Sequence, residues 1–210
     1  MKKVSLLVAV ITLGIPTTAV AETTLPTNYA VVQASKKKKA SKTKVSAKQA
    51  TTNKKLAKYL KTTKNAGYLV QTVKTVSGVP TIIVNDVTSL NKPVFYEYMA
   101  QIIGNAKKTP MTFKGIGIVQ QNEYRNASGK KKNLMEFSFF FNSNTLNQLS
   151  FSSWGQIVYK NPKSFYNEAT GYYLMSDFVK DSKNRRPNSN LMKADDGNII
   201  ASYMDKFGTD

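Results

Sequence analysis

The chain has 210 residues, with 31 lysine and arginine residues against 12 acidic ones, which gives a formal net charge of +19. It contains no cysteine and no histidine. These absences exclude disulfides, cysteine nucleophiles, histidine general bases and zinc sites built on those side chains. Carboxylate chemistry, Ser-Lys chemistry or a role without catalysis remain. The length is that of one ordinary domain with extensions.

The first 21 residues have the layout of a secretory signal peptide. A basic start at residues 2 and 3 precedes an apolar run from Val4 to Ile15, and Pro16 follows it. Ala19-Val20-Ala21 places small residues at the cleavage position, so we expect cleavage after Ala21. The apolar run is too short for a membrane span, which needs about 20 residues. We therefore expect a secreted protein without a transmembrane segment after cleavage, associated with the cell surface non-covalently if at all.

Positive charge is concentrated after the expected cleavage site. Residues 22–66 contain twelve lysines and one acidic residue, whereas residues 67–210 contain 17 basic and 11 acidic residues. The stretch before residue 54 has few large apolar side chains, so it cannot bury enough apolar surface to offset the entropy of ordering it. We predict a disordered lysine-rich arm over 22–53, followed over 54–66 by a short helix or linker with Leu56 and Leu60 at helical spacing.

Two interpretations of the lysine run carry equal weight: a solvated spacer, or attraction to anionic cell-envelope polymers such as teichoic acid. Lysine is a compact hydrated charge without the bidentate fork of arginine, so such attraction has little chemical selectivity. Since the chain has only three arginines, we expect no sequence-specific nucleic-acid binding. The candidate polyanion-binding residues are Lys36, Lys37, Lys38, Lys39, Lys42, Lys44 and Lys48.

Residues 67–210 are predicted to form one α+β domain. Apolar residues recur at spacings of three and four from Phe95 to Ala106, which predicts an amphipathic helix over 93–108. Strands are predicted over 113–124 and 134–141, on either side of a turn at Asn126-Ala127-Ser128-Gly129. The expected fold is a single small domain in which an antiparallel hairpin sheet is packed by the central amphipathic helix.

Alternation in the second hairpin strand places Met135, Phe137, Phe139 and Phe141 on one face and Glu136 on the other. Other expected elements are strands over 68–76 and 81–84, helices over 161–171, 173–180 and 198–207, and an exposed loop over 180–190.

Several segments of the domain together resemble small exported proteins of lactic-acid bacteria. They are Lys114–Gln121, Tyr124–Lys132, Ser152-Ser153-Trp154 and Asn161–Thr170. The resemblance covers roughly residues 79–173. It implies export and one compact α+β domain, and because no activity is assigned to that family it implies nothing about chemistry.

Carboxylates are the remaining catalytic candidates, and glycoside hydrolysis needs two of them about 5 to 10 Å apart. A hairpin centred on residues 127 and 128 places Glu123 opposite Lys132, so Glu123 and Glu136 are not partners and both are interpreted as surface carboxylates. Glu97 is interpreted in the same way. Asp195-Asp196-Gly197-Asn198 lacks the alternating ligands of a calcium loop and is interpreted as a turn. The sequence contains no recognisable catalytic, cofactor-binding or metal-binding motif.

Aromatic side chains give a second lead. Trp154, the only tryptophan, lies among polar residues near Tyr159 and Tyr166. Such rings can stack on sugars or anchor a protein partner, and these three residues are the candidate ligand-binding positions. Burial of Trp154 in the core is the favoured alternative. We therefore expect a secreted, non-enzymatic binding protein with a glycan or protein partner; the alternative is a small carboxylate-dependent hydrolase of cell-wall polysaccharide.

Overall fold

The computed structural model describes residues 44–85, 92–125, 128–175 and 191–209. The expected signal peptide and the lysines from Lys36 to Lys42 lie outside these ranges. In chain order the helices and strands are α1 (Asn53–Leu60), β1 (Val70–Val76), β2 (Val79–Val84), α2 (Lys92–Lys107), β3 (Gly115–Arg125), β4 (Lys131–Asn142), α3 (Ser143–Gln148), α4 (Trp154–Lys160), α5 (Lys163–Glu168), β5 (Gly171–Leu174), β6 (Leu191–Lys193) and α6 (Ile199–Phe207).

The strands of the described residues form one six-stranded sheet in the order β1-β2-β3-β4-β5-β6. Strands β2 and β3 are parallel, and every other neighbouring pair is antiparallel. A parallel pair needs a crossover connection, and α2 lies in the chain segment that joins β2 to β3. The α+β class is thus confirmed, whereas the sheet is mixed and larger than the predicted antiparallel hairpin.

The two faces of the sheet carry separate apolar cores. On the face that we call the first face, Phe137, Phe139 and Phe141 of β4 pack with buried residues of α1, α2, α4 and α5. On the second face, Val119 and Phe140 pack with buried residues of α6. The predicted central helix is α2, which buries the apolar stripe that defined it: Phe95, Met99, Ile102, Ile103 and Ala106.

Helix α1 lies where the short helix over 54–66 was predicted, whereas the described segment before it, from residue 44, differs from the expected disordered arm, which is a correction. Ala50 is completely buried in the first-face core, although residues 22–53 were assigned to the arm. The backbone N–H of Lys55 donates to Thr52 Oγ1 (3.3 Å), which caps α1. Leu56 and Leu60 are completely buried on the side of α1 that faces the core. Two leucines at helical spacing and a threonine cap are therefore enough to dock this lysine-rich segment.

The β3–β4 hairpin contains a bulge that shifts the predicted register. Gln120 pairs with Phe137 but Gln121 pairs with Met135, so Glu136 is an extra residue in β4. Nearer the turn, Glu123 pairs with Asn133 and not with the predicted Lys132, because Arg125 pairs with Lys131 and the turn is therefore centred on Ser128. Met135 also moves, because the bulge interrupts the alternation: it packs in the second-face core and not beside Phe137, as predicted.

The last third of the chain follows the sequence prediction only in part. Helices α5 and α6 lie within the predicted helices over 161–171 and 198–207. Residues 173 and 174 belong to β5, so the helix predicted from residue 173 is wrong there, and its remainder from 176 lies outside the described residues. The short elements α3, α4 and β6 were not predicted. None of the helices in the described ranges combines the length and the apolar character needed to cross a membrane.

Helix α6 approaches the sheet closely because β3 has a glycine below it. A Cβ atom on Gly117 would lie only 1.9 Å from Tyr203 Oη. The hydroxyl groups of Tyr203 and Thr81 of β2 are joined by a hydrogen bond of 3.1 Å. Tyr203 is completely buried, so the missing side chain at position 117 provides the space for its phenol.

Candidate binding sites

A lysine-rich surface lies on α1 and the turn that follows it. Its residues, which we call the α1 lysine face, are all exposed: Lys54, Lys55, Lys58, Lys61 and Lys64. Of the candidate polyanion-binding residues, Lys44 and Lys48 are also exposed, and Lys36, Lys37, Lys38, Lys39 and Lys42 lie outside the described residues. No aspartate or glutamate occurs from residue 44 to residue 85, so the sequence around the α1 lysine face contains no local counter-charge.

Trp154 is buried in the first-face core, which is the interpretation that the sequence analysis favoured over a ligand-binding role. Its side chain is only 3% exposed and its ring stacks on Phe165, with the ring centroids 5.2 Å apart. The edges of Phe141 and Phe151 complete its surroundings. The flat face of the indole is therefore covered by the protein. Its Nε1–H is buried and has no hydrogen-bond acceptor among the described residues.

The two tyrosines grouped with Trp154 have different surroundings. Tyr166 is half-buried and packs against Tyr96 and Tyr172, at centroid distances of 6.0 and 5.6 Å. Burial, with a smaller contribution from Tyr172, raises the pKa of Tyr166. Tyr159 lies at the surface with half of its area exposed. Of the three candidate ligand-binding residues, Tyr159 is the one whose ring is open to solvent.

The exposed ring of Tyr159 borders an open cleft between α2 and α4. The cleft has a volume of about 450 Å³ and is lined by Glu97, Gln156, Tyr159 and Lys160. Glu97 Oε1 accepts a hydrogen bond from Gln101 Nε2 (3.0 Å), one turn along α2, which orients the carboxylate. Gly155 lies beneath this carboxylate: a Cβ there would be 3.8 Å from Glu97 Cγ. Glu97 is thus a surface carboxylate, as interpreted, but it is held at the wall of a cleft.

A smaller cleft lies on another side of α4. It has a volume of about 220 Å³. Trp154 and Ile157 of α4 line it together with polar side chains from α3, α5 and the loop before α4, which are Gln148, Ser150, Ser164 and Glu168. The buried indole with its unpartnered N–H is therefore part of the wall of a polar cleft.

Glu136 was interpreted as a surface carboxylate, and the structure corrects this: it is only 3% exposed. Gln120 Nε2 donates to Glu136 Oε2, and the Tyr124 hydroxyl donates to Glu136 Oε1 (2.6 Å). The bulge at position 136 places this side chain beside Gln120, which pairs with the next residue of β4, Phe137. The two hydrogen bonds offset the cost of burying the carboxylate.

Glu123, the other carboxylate of the hairpin, is about half exposed and forms an ion pair with Lys131 (3.0 Å). Glu123 lies between the bulge and the hairpin turn, whereas Glu136 is the bulged residue, and the two do not share a site. The structure does not bring these glutamates together as a glycosidase pair would require.

The Asp195-Asp196-Gly197-Asn198 segment forms the predicted turn, closed by a hydrogen bond from the Asn198 N–H to the carbonyl of Asp195 (3.1 Å). The two oxygens of the Asp195 carboxylate accept hydrogen bonds from the N–H groups of Ile199 (3.0 Å) and Ile200 (2.8 Å). These bonds cap the N-terminus of α6 and occupy the carboxylate. The described parts of the chain contain no group of three or more acidic side chains that could hold a metal ion.

Sequence reasoning missed both clefts because each is assembled from separate elements. Within α4, residues 156, 159 and 160 follow a spacing of three and four, which is the only local signal for a common face. Glu97 and Glu168 reach α4 from α2 and α5, and their position depends on the packing of the helices.

Comparison of the chain with family models, curated proteins and solved structures finds no match.

Proposed function

We propose that the protein is an exported, non-catalytic binding protein that is retained at an anionic cell envelope by the lysines of its N-terminal part. The observation that carries the proposal is the α1 lysine face, whose lysines are exposed on a docked helix with no acidic residue nearby in the sequence. The partner that suits it is an anionic polymer such as teichoic acid.

The geometry of α1 keeps its lysines in a row. Lys54, Lys58 and Lys61 follow a spacing of four and three, so they project from one side of the helix. Leu56 and Leu60 fix the opposite side in the core. Since an α-helix rises about 1.5 Å per residue, this row is about 10 Å long. Because the backbone of α1 is already ordered, a polymer with regularly spaced anionic groups can meet several of these charges at once without a further loss of backbone entropy.

The chemistry of lysine favours attraction without selection among polyanions. Each ammonium group is a strongly hydrated point charge, and its attraction to a solvated anion is screened over about 8 Å at physiological ionic strength. Binding through such groups releases counterions, so it weakens steadily as salt rises. Retention at the envelope should therefore be reversible by salt.

The test compares the full chain with a variant in which Lys54, Lys58 and Lys61 are replaced by glutamine. The probe is purified cell wall bearing teichoic acid, and the same wall after extraction of that polymer, at increasing salt. We expect the variant to bind the intact wall roughly a hundredfold more weakly at low salt, because each of the three lysines near an anionic surface contributes about 1 kcal/mol. Extraction of the polymer should remove most of the difference.

The matched control removes the same charge elsewhere. Lys108, Lys114 and Lys163 are also exposed and lie outside the α1 lysine face, so their replacement by glutamine changes the net charge equally. We expect this control to lose much less affinity. Equal losses in the two variants, or binding of the full chain that does not respond to salt, would contradict the proposal.

A further inference from the structure

An exposed aromatic ring lies next to the α1 lysine face. Tyr68 is the most exposed large hydrophobic side chain of the described residues, with 67% of its area open to solvent. Its ring contacts the ring of Tyr98 of α2 edge to face, with the centroids 6.5 Å apart and the planes at 89°. Tyr98 is partly buried and packs against the first-face core. The exposed ring of Tyr68 is therefore positioned by a neighbour that the core holds in place.

The backbone just before Tyr68 packs on the C-terminal end of α1. A Cβ atom on Gly67 would lie 2.6 Å from the carbonyl oxygen of Leu60 and 3.0 Å from that of Lys61. Consecutive Cα atoms are about 3.8 Å apart, so Tyr68 begins one residue away from this contact. Lys61 is the last lysine of the row on α1, and Lys64 is exposed in the turn that follows. The aromatic ring and the end of the lysine row therefore lie at the same end of α1.

The polar groups at this end of α1 do not oppose an anionic ligand. The last carbonyl oxygens of an α-helix lack partners within the helix and carry partial negative charge. Here the Tyr59 carbonyl accepts a hydrogen bond from the hydroxyl of Thr62, and the Leu60 carbonyl accepts one from the hydroxyl of Thr63, each at 2.7 Å. The acidic residue of α2, Glu97, lines the cleft beside α4. An anionic chain that follows the lysines thus meets positive charge and then an aromatic ring.

From these observations we infer that the protein also binds single-stranded nucleic acid, without sequence preference. Phosphates of the strand lie along Lys54, Lys58 and Lys61, and an unpaired base stacks on the exposed ring of Tyr68. Proteins that bind single strands combine positive charge along the backbone with aromatic rings on which the bases stack. Every base has a flat π-face, so stacking on a tyrosine selects no sequence. In a duplex the bases stack on one another, and removing one from the stack costs energy, so Tyr68 adds nothing to duplex binding.

The inference rests on the α1 lysine face, which also carries the proposed function, and it adds Tyr68 as a source of preference among polyanions. Lysines alone do not distinguish an oligonucleotide from the same backbone without bases, because both carry the same charge. An aromatic ring makes that distinction. Comparison of these two ligands therefore isolates the contribution of the ring.

The test measures binding of the full chain to a labelled oligomer of about eight thymidines, within the range of about 4 to 16 nucleotides that single-strand sites cover. Affinity is measured by fluorescence anisotropy at low salt. The control ligand is an abasic oligomer of the same length and charge. We expect the thymidine oligomer to bind roughly tenfold more tightly, which is the effect of one stacked base.

Matched tyrosine variants locate the stacking. Tyr68→Ala should bind the thymidine oligomer roughly tenfold more weakly and should bind the abasic oligomer and a duplex as the unaltered chain does. Tyr68→Phe keeps the ring and should keep the affinity. Tyr159→Ala removes another exposed tyrosine (50%), on α4, and should change neither affinity. Both rings are exposed, so unchanged melting temperatures are expected and serve as the folding check.

Salt dependence and the wall separate this inference from the proposed function. Replacement of Lys54, Lys58 and Lys61 by glutamine should reduce the slope of log affinity against log salt for the thymidine oligomer by about 2, since each phosphate contact contributes about 0.7. Tyr68→Ala should leave that slope unchanged. It should also bind the teichoic-acid wall as the unaltered chain does, so wall retention and base stacking can fail independently.

The inference is overturned if the thymidine oligomer binds no more tightly than the abasic one, or if Tyr68→Ala keeps full affinity for it. It is also overturned if Tyr159→Ala loses as much affinity as Tyr68→Ala, or if Tyr68→Ala weakens binding of the abasic oligomer equally. Those results would leave an electrostatic surface that does not recognise bases.

Discussion

The two faces of the sheet are closed in different ways. On the first face several helices cover an apolar core, and the phenylalanine rings of β4 lie deep within it. On the second face α6 lies over a layer that includes two buried polar side chains, Ser138 and Thr81, and the Thr81 hydroxyl is hydrogen-bonded to Tyr203 of α6. The Ser138 hydroxyl has no hydrogen-bond partner among the described residues.

The two faces therefore support different parts of the molecular surface. The first face fixes α1 and α4, whose outer surfaces carry the α1 lysine face and the two clefts. The one buried carboxylate of the hairpin, Glu136, lies at the bulge of β4. The carboxylates of Glu97 and Glu168 line the clefts beside α4, so carboxylates occur in both regions.

The largest expected effect comes from two neighbouring residues of β4 that point to opposite faces. Phe139 is completely buried on the first face, with Tyr96, Phe165 and other rings around it, whereas Phe140 lies on the second face over Gly115. Replacing a buried phenylalanine by alanine costs about 3 to 5 kcal/mol. We expect Phe139→Ala to lie at the upper end of that range and Phe140→Ala at the lower end, measured by urea unfolding.

The mobility of α4 should follow the same order. Phe139→Ala should also speed hydrogen exchange at the backbone amides of α4, because the rings that position this helix lose a neighbour. If Phe140→Ala destabilised the protein as much as Phe139→Ala and speeded exchange in α4 equally, the two faces would not differ in the way described here.

An intermediate effect is expected at the buried carboxylate. In Glu136→Gln an amide replaces an oxygen that accepts from Gln120 or Tyr124, so one buried donor faces another. An unsatisfied buried donor costs about 1 to 3 kcal/mol of stability. The matched control is Glu123→Gln, at a half-exposed residue of the same hairpin, which should cost about 0.5 kcal/mol or less.

The same pair of variants tests the hydrolase alternative. Incubation of the full chain with wall polysaccharide should release no reducing ends above the level of the buffer, and neither variant should change this. Release by the unaltered chain that Glu136→Gln abolishes and Glu123→Gln preserves would contradict a non-catalytic function. It would assign a catalytic role to the bulge of the β3–β4 hairpin.

The elements that sequence patterns predicted well are those with long local signals. Helix α2 repeats its apolar stripe over four turns, and the hairpin strands flank a turn with strong sequence preferences. Helix α4 was missed because seven residues hold too few apolar positions to define a period. The parallel pairing of β2 with β3 was missed because it depends on a contact across the whole of α2.

The candidate sites were predicted less well than the fold, for a related reason. Alternation along β4 could not reveal the extra residue at Glu136, which moves Met135 to the second face, or the burial of a carboxylate interpreted as exposed. The distance of Glu97 from Tyr159 in the chain hides the cleft that they share. By contrast, exposure of the lysines on α1 followed directly from the position of Leu56 and Leu60.

The smallest expected effect is on alkaline stability, and it concerns one tyrosine on each side of the sheet. Burial raises the pKa of Tyr96 of α2, and the neighbouring Tyr166 and Tyr172 raise it further. Burial also raises the pKa of Tyr203 of α6; the hydrogen bond with Thr81 lowers it, and the Asp195 charge raises it. Both phenols therefore stay neutral in the folded protein at pH values at which they ionise in the unfolded chain.

Because the pKa is higher in the folded state, this contribution is fully present below the ordinary tyrosine value of 10.0 and is lost as the pH rises above it. One pH unit above that value, each tyrosine should remove about 1.4 kcal/mol from the free energy of unfolding. Tyr96→Phe and Tyr203→Phe should each make the alkaline decline less steep, measured by urea unfolding between pH 8 and 11. Flattening by Tyr203→Phe alone would mean that ionisation reaches Tyr96 before global unfolding, and that the first face, which supports α1 and α4, opens more easily than the second face.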